Sequence, residues 1–120
     1  MDYHFILSVF HIIFVVPLLL YIGFFRSSIP IWAFNSILVL GLVILAYHGF
    51  KLFLRLSHRS NYSWVNMLHI FTIAPLLIYI GYNKKDTPRF AYELSIMLAF
   101  AAGGYHIYSI VNHLDIDSKK

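Results

Sequence analysis

Apolar residues run in four long blocks along the chain, at 5–25, 31–50, 64–82 and 91–111. Polar and charged residues collect in the links between them. The blocks are apolar nearly all round: Ile12-Ile13-Phe14-Val15-Val16 and Leu38-Val39-Leu40 leave no polar stripe. A soluble helical bundle needs a polar face on every helix. A bilayer-spanning helix needs about 20 mostly apolar residues instead. Barrel strands would be shorter and would alternate, and no alternation is present. The pattern therefore predicts an all-α membrane protein with four transmembrane helices, at about 5–25, 31–54, 64–82 and 90–112. The short links make successive helices antiparallel. The first block lacks a basic flank and a cleavage site, so it reads as a retained span.

Sliding the chain on itself by 58 residues aligns His11 with His69, Pro17 with Pro75 and Tyr21-Ile22-Gly23 with Tyr79-Ile80-Gly81. Pro30 meets Pro88, and Tyr47-His48 meets Tyr105-His106. Apolar composition alone does not align His, Pro, Gly and Tyr together. This predicts a tandem duplication of a two-helix hairpin, with repeats over 1–60 and 61–120 of one membrane domain. Both copies would enter the bilayer in the same sense. Such parallel repeats relate by a pseudo-two-fold axis along the membrane normal.

Composition sharpens the class. Apolar residues make up 60% of the 120, and charged residues only 12%. Soluble domains carry about 25% charged residues. The mean hydropathy is +0.74. The net charge of +4 comes from few charges at block edges, not from the dense basic stripe of a nucleic-acid binder. The lipid bilayer is the expected partner, with no nucleic acid. A homodimer is a further expectation, because four short helices enclose little volume. Both termini share one side with the 51–63 link; five Lys/Arg there against four on the other side place the termini in the cytoplasm by a narrow margin. The absence of cysteine removes disulfides, thiolate metal sites and thiol catalysis. No nucleotide loop, catalytic triad or paired carboxylates occur, so no catalytic residue is named.

The informative polar residues are His11, His48, His69 and His106, one in each block. Ionisable groups inside spans are costly and point to function. At about 1.5 Å per residue, all four fall in one layer roughly 5–10 Å below one interface. Ser8 lies three residues before His11, and Asn66 and Thr72 lie three either side of His69. Residues three apart share a helix face, so these groups suit a role in orienting the imidazoles. Tyr47 and Tyr105 precede two of the histidines and serve either as hydrogen-bond donors or as interfacial aromatics. Pro17 and Pro75 predict kinks in the first and third helices. Gly23 and Gly81 read as helix-ending glycines, and Pro30 and Pro88 as helix starts. His4, His58 and His113 read as solvated.

Several readings of the histidine layer stay open at this stage. Imidazoles from two helices clamp haem b from opposite faces, with His11–His69 or His48–His106 as the candidate pairs. Neutral imidazoles equally suit a transition metal, for electron transfer or metal handling. Histidine also titrates near pH 6.5, which suits a proton path, a channel or a small-solute carrier. In the structural reading, the histidines hold the helices together without a ligand.

Overall fold

A computed structural model describes residues 3–57 and 67–118, with side chains over 5–57 and 67–114. The described residues form helices, short 3₁₀ turns and no strand. We label the α-helices α1 (Tyr3–Phe10), α2 (Val16–Phe25), α3 (Ile31–Ser57), α4 (Ala74–Asn83) and α5 (Arg89–Ser118). Three described stretches are long and apolar enough to cross a membrane: Phe5–Ser28, Ile31–Ser57 and Arg89–Leu114. The third sequence block starts among residues outside the described set, and its described helix covers only 67–83.

α1 runs into α2 without a break, through a π-helical segment over His11–Val15. A second π segment, His69–Ile73, leads into α4. Pro17 and Pro75 explain both. Each follows its segment by two residues and sits in the first turn of the next α-helix. A proline donates no hydrogen bond, and its ring clashes with the carbonyl four residues back. The chain widens ahead of it. Val16 N–H reaches His11 O, and Ala74 N–H reaches His69 O, each five residues back. The expected irregularity thus takes the form of a wide turn, one of the recognised responses of a helix to such a disruption.

The chain forms two compact units, Met1–Arg26 with Tyr92–Lys120, and Ser27–Ala91. They do not follow the halves 1–60 and 61–120. In the first unit, the segment from α1 to α2 packs antiparallel against α5. Val16 faces Gly103, and the Ser95 hydroxyl donates to Leu19 O at 2.8 Å. Gly23 lies against Tyr92 and Ile96. Leu19, Tyr92, Ser95 and Ala99 are buried. In the second unit, α3 packs antiparallel against the π segment and α4. Gly41 lies against Ile78 and Leu77, and Gly81 against Leu38. Phe34, Ile37, Leu77 and Ile80 are buried.

Gly23 and Gly81 do not end their helices. α2 continues to Phe25 and α4 to Asn83. The chain turns at Arg26 (φ 50°) and Lys84 (φ 53°). The glycines instead admit a neighbouring helix at close range. Pro30 and Pro88 do stand at helix starts: Pro30 O accepts from Ala33 and Phe34 N–H, and Pro88 O from Ala91 N–H. α3 and α5 run past the apolar blocks because neither proline nor glycine stops them there.

Many large apolar side chains face outward, among them Phe71, Trp32, Phe53, Phe100 and Tyr108. In water, contiguous exposure of this kind is rare.

Candidate functional site

His11, His48, His69 and His106 form two face-to-face pairs, one within each unit. His11 and His106 stack with ring centroids 4.4 Å apart and planes 23° apart. His48 and His69 stack at 4.1 Å and 11°. The pairs correspond: moving His11 forward by 58 residues and His106 back by 58 gives His69 and His48. The close partners therefore differ from the His11–His69 and His48–His106 combinations drawn from the sequence.

His11 opens its π segment, and its Nδ1–H donates to Leu7 O at 2.7 Å, one turn back. His106 meets the buried Ser8 across the helix interface. The Ser8 hydroxyl donates to Ser109 Oγ at 3.3 Å. Ser8 Oγ also lies 3.2 Å from His106 Nδ1, within hydrogen-bond distance. The carbonyl acceptor fixes Nδ1 of His11 as a protonated nitrogen.

The neighbouring positions are resolved in part. Ser8 bonds to His106 on the opposite helix, in addition to lying one turn from His11. Thr72 sits half buried in the π segment that His69 opens. Asn66 lies outside the described residues, as do His58 and Arg59. Tyr47 and Tyr105 set their rings edge-on to His48 and His106, each at 5.1 Å. Both tyrosines are about half exposed. Lys51 Nζ stands 5.8 Å from the Tyr47 ring.

Two contributors were missed in the sequence. Ser109 lies three residues beyond His106, the same spacing that singled out Ser8 beside His11. His113, read as solvated, is half buried and stacks on Phe5 at 4.9 Å. Its spacing of seven from His106 was the available signal, since that spacing returns to the same helix face.

The geometry limits the chemistry of a pair. Two imidazoles that clamp a haem iron stand on opposite sides of a porphyrin plane. Rings stacked at 4.1–4.4 Å are in contact with each other. Among the described residues, no group of three or more His, Asp or Glu is gathered to hold a metal ion. Each pair brings together two imidazoles from two helices.

The fold defines a helical protein of membrane type, with several helices long and apolar enough to cross a bilayer. No protein-family model, curated protein or solved structure matches the chain.

Proposed function

We propose that the chain is a four-span integral membrane protein, built by duplication of a hairpin, whose histidine pairs bind a transition-metal ion. The observation that carries this reading is the anchoring of Nδ1. Metal-binding histidines usually donate their other ring N–H to a carbonyl, carboxylate or water, which fixes the tautomer and the ring. His11 donates to a carbonyl, and His106 Nδ1 pairs with a hydroxyl. Neutral imidazole nitrogen suits zinc, copper, iron and nickel. A pair supplies two ligands, and water or further side chains would complete the set. Metal handling within the bilayer is the corresponding role.

Four spans are supported by the sequence block at 64–82. The duplication is supported by features that recur at the 58-residue offset: two π segments, two positive-φ turns and two glycine contacts.

The test is metal analysis of detergent-purified protein after exposure to Zn²⁺ or Cu²⁺. Retained metal that falls in His11→Ala and His106→Ala supports the reading. No retained metal rejects it. A b-type absorption spectrum after haem-replete expression would replace it with the haem reading.

A second reading has one observation in its favour. Ser109, Ser8 and His106 form a hydrogen-bonded chain of proton-exchanging groups, as a proton path requires. Proton flux into liposomes that depends on Ser8 would favour it, and flux equal to empty vesicles would reject it.

A further inference from the structure

Asn35 is the one amide side chain inside an apolar block among the described residues. It is exposed on α3, three residues inside Trp32, and forms no side-chain hydrogen bond with any described residue. In water, solvent would satisfy such an amide. In hydrocarbon there is no solvent to do so, and polar side chains within spans turn to other helices. The neighbouring Ser36 is already satisfied, because its hydroxyl donates to Trp32 O at 2.9 Å. Asn35, Ser36, Val39, Leu40 and Val43 line a shallow groove of about 460 Å³ along α3. Their spacing makes one stripe about 12 Å long. Ala33, Phe34, Ile37 and Gly41 on the other side of α3 are buried within the unit. The 58-residue counterpart of Asn35 is Glu93 on α5, which is half buried. The outward amide therefore belongs to α3 alone.

We propose that this groove seats α3 of a second copy of the chain, with Asn35 of each copy bonded to Asn35 of the other. An amide carries an acceptor oxygen and two N–H donors. Two identical amides across a two-fold axis therefore satisfy each other without a third group. Copies inserted in the same sense bring Asn35 to the same depth, as this bond requires. Val39, Leu40 and Val43 then pack against their equivalents one and two turns further along α3. The partner is a second copy because the amide complements itself. The pairing is independent of the metal reading, and either can stand without the other.

The chain has no cysteine, so a single introduced cysteine forms a disulfide only between copies. Full-length Val39→Cys in phosphatidylcholine vesicles should give a disulfide-linked dimer on mild oxidation. The yield should be several-fold above that of Leu45→Cys on another face of α3 or Phe100→Cys on α5, both of which are also exposed. Adding Asn35→Leu to Val39→Cys should cut the yield, and Asn35→Gln, which keeps the amide, should preserve part of it. Energy transfer between copies labelled at an added C-terminal cysteine measures the affinity as lipid dilutes the protein. Asn35→Leu should weaken association about tenfold. Circular dichroism confirms that Asn35→Leu remains helical. A Val39→Cys yield no higher than the two controls, an affinity unaltered by Asn35→Leu, or a monomer at every dilution overturns the proposal.

Discussion

Gly81 lies so close to Leu38 that a Cβ at position 81 would stand 2.6 Å from Leu38 N and 2.7 Å from Leu38 Cα. The obstacle is backbone, which no rotamer change can move. Gly81→Ala therefore has to push α3 and α4 apart, at a cost of about 2–3 kcal/mol. Gly49 is the control on the same helix as Leu38. A Cβ there meets nothing within 4 Å. Gly49→Ala should be neutral or stabilise by about 0.5 kcal/mol through backbone entropy. Thermal denaturation in one detergent, followed by circular dichroism, compares the two. Equal midpoints would mean the helices do not approach at Gly81.

Lys84 turns the chain after α4 with φ 53° and ψ −122°, a region that side chains avoid. Such residues store about 1–3 kcal/mol of strain. Lys84→Gly should relieve part of it and raise stability by about 1 kcal/mol. Arg26 has the matching conformation, but its guanidinium Nε–H also donates to Gly23 O at 2.8 Å. Arg26→Gly loses that bond and should gain less. A larger gain for Arg26→Gly would contradict the bond's contribution.

Ser8 joins His106 and Ser109 across the helix interface while being only 3% exposed. Ser8→Ala should cost about 0.6–1.7 kcal/mol, the range measured for such bonds between membrane helices. The double variant Ser8→Ala, Ser109→Ala should cost less than the two single changes together, because they share one bond. Full additivity, measured by reversible unfolding in bicelles, would show that the bond contributes nothing.

The absence of native cysteine makes disulfide trapping clean. Ser8 Oγ and Ser109 Oγ are 3.3 Å apart. The variant Ser8→Cys, Ser109→Cys should form an intramolecular disulfide on mild oxidation, detected by mass spectrometry. Pro17→Ala in that background removes the reason for the wide turn beside His11. The turn should tighten, rotate α1 relative to α2 and lower the trapping yield. Trapping that fails without Pro17→Ala would place α1 in another register on α5.

The sequence announced the helices, the special prolines and the four histidines. Each is a local signal: an apolar block long enough for a bilayer, a residue without an N–H, an ionisable group where none is expected. It was silent on partners. A 58-residue repeat is equally compatible with hairpins that close on themselves and with helices that cross over, so His11 could not be matched with His106. The glycines misled for a related reason. A glycine near a helix end fits a terminal turn, and it fits close packing equally well. Only the facing Leu38 decides for Gly81. Nothing in Arg26 or Lys84 signals positive φ, because a side chain there works against that conformation. His113 reads as solvated because the apolar block ends before it, whereas the helix runs on to Ser118.

The two units also differ in how they can be made. Ser27–Ala91 is one continuous stretch of chain. Its helices meet soon after they leave the ribosome. α1 has to wait: Ser8 finds Ser109 only after 101 further residues. At about 5–20 residues per second, that is a delay of roughly 5–20 s. Through that interval Ser8 lacks Ser109, and His11 lacks the His106 ring that it stacks on in the fold. Among the described helices, α1 is thus made first and packed among the last, so its polar residues wait longest for the neighbours they meet in the fold.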